Sequence, residues 1–343
     1  MAPPVAWMRH DCPGWIDLRD DIAQVASPRE VSPPVTSRPP ALHAPLALTS
    51  LALLKMSRPA QLGLIVLVYA SGVLLGYVRG GDAPPAAIAV GGLLLLLAAV
   101  SVHLTNEYVD IRTDTLTVRT RFSGGSGVLP AGITDSSVAR GAAVIATVAT
   151  SVAALAFHLG GALPDAGFLL LMTGLVGGLA YSLPPVAASR RGLGELTNAL
   201  LGGFLLPLYG VAIARGSVTA LDMLAFVPFA LVVLASVMAT AWPDRTADAA
   251  TGKRTLQTRL SARSLRSIHA ITIVLFIVAE GAAAVLGASP AAPLSLAVLP
   301  LLLLAHRRYT VVAAPTLSVA AMVFAALVPT VVFAAVLLAA HPP

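Results

Sequence analysis

The sequence predicts an all-α, polytopic membrane protein that crosses a lipid bilayer nine times. Three observations lead to this fold class: a composition poor in charge, apolar runs long enough to span, and basic residues concentrated in alternate connecting segments. Of 343 residues, 57% are hydrophobic and 11% are charged, whereas an ordinary soluble domain carries about 25% charged residues. The composition therefore excludes an ordinary soluble domain.

The first part of the chain differs from the rest. Residues 1–43 are rich in Pro, Arg and Asp, and the stretch "SPREVSPPVTSRPP" is unsuited to a helix or an apolar core. We expect a disordered N-terminal extension over 1–43, without a signal peptide, and a membrane domain over 44–343. "PLALTSLALLK", which ends at Lys55, is too short to span and fits an interfacial helix.

Nine apolar segments follow. A spanning helix needs roughly 20 such residues, and the eighth segment is the shortest of the nine. The predicted spans are 60–79, 86–105, 138–158, 165–182, 194–214, 220–241, 267–288, 291–305 and 315–340.

Basic residues support this count. They concentrate before the first span and after the second, fourth, sixth and eighth, while the intervening loops contain only Arg79 and Arg215. By the positive-inside rule, the N-terminus and the arginine-rich loops face the cytoplasm and the C-terminus lies outside. The net charge of +6 therefore reflects topology, and no long basic run or aromatic-interleaved patch indicates nucleic acid. The single cysteine, Cys12, excludes an intrachain disulfide and a multi-cysteine metal site.

An acidic motif stands where the second span ends. In "NEYVDIRTD", the residues Asn106, Asp110 and Asp114 are spaced four apart, so on a helix they share one face. Like charges at this spacing repel each other unless a positive charge lies among them. A solvated helix end is the alternative interpretation.

A second acidic pair follows the sixth span on the same predicted side. Asp244 and Asp248 lie in "WPDRTADAATGKRTL", and the repeated acidic spacing suggests that equivalent helices close on one cavity. Mg²⁺ commonly binds one or two carboxylates together with substrate phosphates. Basic neighbours suited to phosphate oxygens accompany both motifs, namely Arg112, Arg121, Lys253 and Arg254. Together they predict a metal-bound diphosphate site, whereas "AATGKRT" lacks the spacing of a phosphate-binding P-loop.

Three further features remain open between a structural and a functional role. "YSLPP" at 181–185 is a helix stop, or it places Tyr181 beside the reacting carbon or the second substrate. "RFSGGSGVLPAG", with Ser123 and Ser126, is a flexible loop or a lid that excludes water. Glu280 in the seventh span is costly in lipid, and we expect a structural partner or a near-surface position; for His103, packing and cavity lining stay equal.

At these residues the sequence resembles the UbiA superfamily of intramembrane prenyltransferases. The matching stretches are "SRP" at 57–59, "NEYVDIRTD", "YSLPP" with "RRGLGE", and "PDRTADAATGKRTLQTRL". They occur in the expected order over residues 57 to about 260. The resemblance implies a helical bundle around a central cavity open to the cytoplasmic side and, laterally, to lipid.

The resemblance also implies a site chemistry. A polyprenyl diphosphate would rest on Mg²⁺ ions held by Asn106, Asp110, Asp114, Asp244 and Asp248. Basic residues would assist the departure of diphosphate, and an electron-rich acceptor would attack the allylic cation left behind. The second motif often has a third acid, but position 252 is Gly252, as in members resembling 1,4-dihydroxy-2-naphthoate polyprenyltransferases of menaquinone synthesis.

The candidate residues fall into three roles. The metal ligands are the five residues above. The catalytic candidates are Asp110, Asp244, Tyr181 and Lys253. The substrate-binding candidates are Arg58, Arg112, Arg121, Ser182, Arg190, Arg191, Lys253 and Arg254.

The predicted function is Mg²⁺-dependent transfer of a polyprenyl group to an aromatic acceptor, with 1,4-dihydroxy-2-naphthoate favoured, in the plasma membrane. Other acceptors of the superfamily are 4-hydroxybenzoate, tetrapyrroles, glycerol phosphates and phosphoribosyl diphosphate. A cation or phosphate transporter is the alternative from another class, because acids within a membrane often mark an ion path. A transporter would be expected to place them near the midplane instead of at one face.

Overall fold

The computed structural model describes residues 46–340, and its regular elements over that range are all helical. The predicted disordered extension over 1–43 and Cys12 lie outside the described residues. The helices in chain order are α1 Leu46–Met56, α2 Pro59–Val78, α3 Pro85–Leu116, α4 Ser136–Leu159, α5 Asp165–Ser182, α6 Gly194–Arg215, α7 Ala220–Thr240, α8 Arg245–Ala250, α9 Leu256–Arg259, α10 Ala262–Val285, α11 Ala292–Ser295, α12 Leu299–Arg308 and α13 Thr316–Ala340. Short 3₁₀ helices lie at Ala188–Arg190 and Leu296–Val298, and α6 contains a π-helical stretch at Ala199–Leu205.

Eight helices of the described chain are long and apolar enough to cross a membrane: α2 to α7, α10 and α13. They correspond to eight of the nine predicted spans. The remaining span, 291–305, is broken into α11, a 3₁₀ turn and α12, because Pro293 and Pro300 each occupy the first turn of a helix and cannot continue a preceding hydrogen-bond ladder. The count of nine crossings therefore stays a prediction.

Helix α3 is longer than its apolar run. Its 32 residues extend for about 48 Å, which exceeds the roughly 30 Å of a bilayer's hydrocarbon core. The predicted span ended at residue 105, but the helix continues to Leu116 and carries the acidic motif on its final turns. We call this end of the bundle, where α3 ends and α8 lies, the motif end.

Helices α2 and α6 pack backbone against backbone. A Cβ atom added at Gly72 would lie 1.9 Å from the carbonyl oxygen of Pro207, and one added at Gly210 would lie 2.5 Å from that of Tyr69. Small residues permit such close approach of membrane helices. The hydroxyl of Tyr209 also donates a hydrogen bond to the carbonyl of Gly91 at 2.9 Å, so the α2–α6 pair also holds α3.

A buried ion cluster lies at the end of the bundle farthest from the acidic motifs, which we call the opposite end. Asp222 is fully buried and accepts from Arg79 at 2.7 Å and also from Arg215. Thr219 caps α7 in a reciprocal capping box with Asp222. The two arginines that interrupt the alternation of basic loops are thus both paired to one carboxylate.

Candidate active site

The first acidic motif forms one face of the last turns of α3, as its spacing predicts. The amide nitrogen of Asn106 donates to Asp110 Oδ2 at 3.0 Å. Asp110 is buried and Asp114 is half-buried. The motif therefore presents amide and carboxylate oxygens toward the interior of the motif end.

The second motif reaches the first through a lysine. Asp244 stands immediately before α8, and Asp248 lies buried within it. The buried ammonium of Lys253 lies 2.8 Å from Asp110 Oδ1 and 3.6 Å from Asp248 Oδ1. Gly252 has a φ of +74°, which glycine adopts at little cost. The turn at this glycine places Lys253 beside both Asp110 and Asp248. Motifs more than a hundred residues apart thus meet at one place.

The second motif carries more negative charge than its neighbours compensate. Burial, followed by repulsion from Asp248, raises the pKa of Asp244 to about 7. Burial also raises the pKa of Asp248, although the Lys253 ammonium opposes this shift. The Oδ1 atom of Asp244 is buried without a hydrogen-bond partner within the described chain. Carboxylates in this condition suit an additional cation.

Glu107 is a buried residue of this site that the sequence analysis missed. Its carboxylate accepts from Arg58 at 3.0 and 2.7 Å, and from the Ser126 hydroxyl at 2.5 Å and the Ser126 backbone N–H at 2.9 Å. Arg58 also donates to the side-chain oxygen of Asn106 at 3.0 Å. The start of α2, the acidic face of α3 and the glycine-rich loop are therefore joined at Glu107. The signal was a second acid inside "NEYVD", which the four-residue spacing passes over.

The glycine-rich loop lies directly against the acidic face. Gly125 has a φ of +60°, and a Cβ atom there would lie 2.1 Å from Asp114 Oδ2. Only a residue without a side chain allows the backbone to approach a carboxylate this closely. The position of the loop agrees with a covering role, and its function as a lid stays a prediction.

The "YSLPP" segment contacts the first acidic motif through Ser182. The Ser182 hydroxyl accepts from the Asn106 amide at 3.4 Å and is buried. Tyr181 is half-buried at the end of α5, where its ring lies near Gly194. Arg190, on the following 3₁₀ turn, has its guanidinium 3.9 Å from Asp110 Oδ1.

The other basic candidates lie farther out. Their side chains are exposed, and no ion pair joins them to the two acidic motifs within the part of the chain that the structure describes. These residues are Arg112, Arg121, Arg191 and Arg254. The structure therefore brings Arg58, Arg190 and Lys253 to the acids and leaves four predicted substrate-binding arginines at the surface.

The acids do not form a dense metal cage. Within residues 46–340, no three His, Cys, Asp or Glu side chains are grouped closely enough to bind one ion by themselves. Mg²⁺ usually takes one or two carboxylates and completes its shell with water and substrate phosphates. The donor set fits an ion that arrives with a phosphate-bearing substrate.

The fold and site define a helical membrane protein whose motif end is rich in carboxylates. The chain belongs to the UbiA prenyltransferase family, whose model matches residues 64–328, and it is therefore a prenyltransferase. No curated protein sequence matches it.

Solved structures share the fold. A UbiA homologue from Archaeoglobus fulgidus, bound to GPP and Mg²⁺, has a TM-score of 0.61 at 16% identity, with 83% of this chain and 99% of that chain covered. An apo UbiA homologue from Aeropyrum pernix K1 has a TM-score of 0.55 at 17% identity, with 81% and 97% covered. A digeranylgeranylglyceryl phosphate synthase has a TM-score of 0.54 at 12% identity, with 84% and 98% covered. These likenesses confirm the all-helical fold class.

Proposed function

We propose that this prenyltransferase moves a polyprenyl group from polyprenyl diphosphate to an aromatic acceptor, with Mg²⁺ as its cofactor. The observation that carries the proposal is the meeting of the two acidic motifs at Lys253, which lies 2.8 Å from Asp110 and 3.6 Å from Asp248. Carboxylates beside fixed positive groups suit a metal-bound diphosphate better than a bare cation.

The metal would be held by Asn106, Asp110 and Asp114 on α3 and by Asp244 and Asp248 around α8. Mg²⁺ bound there would neutralise charge on the diphosphate as it leaves. The Archaeoglobus homologue bound to GPP and Mg²⁺ shares this fold and supports the assignment. The unpartnered Oδ1 of Asp244 and the glycine at position 252 leave room for water or phosphate oxygens.

The remaining residues orient the substrate. Lys253, Arg190 and Arg58 stand beside the acids and would bind phosphate oxygens that the metal does not. The glycine-rich loop over Asp114 would exclude water while the allylic C–O bond breaks and its electron pair leaves with diphosphate. The acceptor carbon then forms the new C–C bond and releases a proton. Tyr181, near the motif end of α5, would contact the reacting carbon or the acceptor.

The proposed acceptor is 1,4-dihydroxy-2-naphthoate. Gly252 in place of a third acid, together with "GKRTL", supports it by resemblance to polyprenyltransferases of that acceptor. We further propose that residues 44–343 form the prenyltransferase domain in the plasma membrane. In this topology the motif end and the N-terminus face the cytoplasm and the C-terminus lies outside, as the basic loops indicate.

Membranes that contain the protein, incubated with Mg²⁺, a labelled polyprenyl diphosphate and the naphthoate, should yield a prenylated product. Asp110→Ala and Asp244→Ala should each abolish it. Asp165→Asn is the matched control, because that carboxylate is exposed and begins α5 at the opposite end.

The other acceptors form parallel arms of the same assay: 4-hydroxybenzoate, a tetrapyrrole, a glycerol phosphate and phosphoribosyl diphosphate. Product with one of these and none with the naphthoate would support the prenyltransferase activity and assign a different acceptor to it. Failure of turnover with every acceptor, combined with ion or phosphate flux in liposomes, would favour the transporter instead.

A further inference from the structure

A second polar site lies inside the bundle, away from the acidic motifs. It is a small cavity among α2, α7, α10, α13 and the segment between α10 and α12, with a volume of about 20 Å³. Its walls are mostly apolar, but four polar side chains also line it: Ser71, Glu280, Ser289 and Ser295. Glu280 is 18 residues beyond the start of α10, so it lies about 27 Å along that helix from the motif end.

The charge of Glu280 has no protein partner in the cavity. The side chain is only 5% exposed, and no Lys, Arg or His among the described residues lines the walls. No ion pair within residues 46–340 includes this carboxylate. A carboxylate at this depth is costly in a membrane protein unless a proton or another positive charge accompanies it.

The three serines line the same cavity as this carboxylate, and one of them, Ser295, has its hydroxyl proton committed elsewhere. Ser295 lines the cavity together with Glu280, and its hydroxyl donates to the carbonyl of Ala291 at 3.1 Å. Ser289 Oγ accepts from the Ala291 backbone N–H at 3.2 Å. Ser71 Oγ is buried without a partner in the described chain. Hydroxyl and carboxylate oxygens of this kind are the ligands that hard cations prefer.

We propose that this cavity binds one monovalent cation of the size of Na⁺, with Glu280 as the charged ligand and the serine oxygens completing its shell. A single carboxylate balances one positive charge, whereas a divalent ion would leave excess charge among apolar walls. A water molecule needs about 10–15 Å³ of such space, so the cavity admits one or two particles of that size and no organic cation. The ion would join α2, α10 and the segment between α10 and α12, in the half of the bundle away from the motif end.

The test compares thermal unfolding of the purified full-length chain in sodium chloride and in choline chloride at equal ionic strength, with potassium chloride as a third arm. We expect Na⁺ to raise the melting temperature of the wild type by about 4 °C or more. Glu280→Gln should remove this response, and Ser71→Ala should weaken it. Asp165→Asn, which removes an exposed carboxylate, should respond as the wild type does.

Binding of radioactive ²²Na⁺ to the wild type tests whether the cavity holds Na⁺ even if Glu280→Gln does not fold. One ion per chain, displaced by unlabelled Na⁺ and bound more weakly by Ser71→Ala, supports the site. Equal melting in Na⁺ and choline, or no saturable ²²Na⁺ binding, overturns it, and Glu280 is then a neutral acid. This site stands independently of the proposed transferase activity.

Discussion

Buried carboxylates at the two ends of the bundle have opposite surroundings. At the opposite end, Asp222 accepts from two arginines and from the Thr219 backbone and hydroxyl. At the motif end, Asp110 and Asp248 share one lysine, and an oxygen of Asp244 has no partner in the described chain. An acid whose lone pairs are all engaged holds helices together, whereas an acid with spare capacity can bind a ligand.

The largest expected effect is at Asp110. Asp110→Asn removes a charge from the motif end without changing side-chain size, so we expect turnover to fall by about 10³-fold, equivalent to about 4 kcal/mol of activation free energy. Product formation at saturating Mg²⁺ measures this loss. An unchanged melting temperature would show that Asp110 serves the reaction. A variant that unfolds would show that Asp110, like Asp222, stabilises the fold.

Asp222→Asn tests the other side of the comparison. The substitution leaves Arg79 and Arg215 buried beside a neutral side chain, so we expect a loss of about 3 kcal/mol in the free energy of unfolding. Thermal unfolding in detergent measures it. Turnover per folded molecule should change little, and a large selective loss of turnover would contradict the structural assignment.

Lys253→Met removes the positive charge that the two motifs share. Without Mg²⁺ the variant leaves Asp248 without an ion-pair partner in the described chain and leaves Asp110 with Arg190 alone, 3.9 Å away, so we expect it to lose about 2 kcal/mol of stability. Added Mg²⁺ should raise its melting temperature more than that of the wild type, because the ion replaces the missing ammonium. If Mg²⁺ raised the melting temperatures of the two proteins equally, the placement of the metal site beside Lys253 would be wrong.

The smallest effect concerns pH. Because the pKa of Asp244 is raised to about 7, the carboxylate gains a proton as the pH falls below 7, and Mg²⁺ must then displace that proton. We expect Mg²⁺ to bind about tenfold more weakly at pH 6 than at pH 8. Fluorescence of the neighbouring Trp242 during a Mg²⁺ titration measures this change. Asp244→Asn should bind Mg²⁺ more weakly and lose this pH dependence.

The same raised pKa affects stability without metal. The folded chain binds a proton at Asp244 that the unfolded chain has already released between pH 4 and 7, so stability should fall as the pH rises through that range. Asp244→Asn should flatten this part of the profile. A wild-type melting temperature that instead rises steadily from pH 5 to 8 would contradict the assignment.

Local patterns predicted much of this molecule. Apolar length predicted nine spans, eight of which correspond to long helices, and the four-residue spacing of Asn106, Asp110 and Asp114 predicted their shared face. Both features depend on residues near one another in sequence. The π-helical stretch Ala199–Leu205 has no such local signal, whereas the break at 291–305 could have been predicted from Pro293 and Pro300.

Long-range pairs could not be predicted in this way. Arg79 pairs with Asp222, which is 143 residues away, and no local periodicity connects them. Lys253 was expected to bind phosphate, but its position between Asp110 and Asp248 depends on how α3 and α8 meet. Glu107 was hidden because an i, i+4 pattern assigns neighbouring positions to another face, whereas the loop carrying Ser126 wraps around that face.

The glycine contacts between α2 and α6 have a consequence for how this chain tolerates change. A single methyl group at Gly72 would press on the backbone of Pro207 and force the two helices apart. Arg58 stands 14 residues earlier on the same chain, about 21 Å along the helix axis, and it grips Glu107 and Asn106. Because α2 is one continuous helix that begins at Arg58, a mutation deep in the apolar layer, far from any substrate, can shift Arg58 and so misalign Glu107 and Asn106 at the motif end.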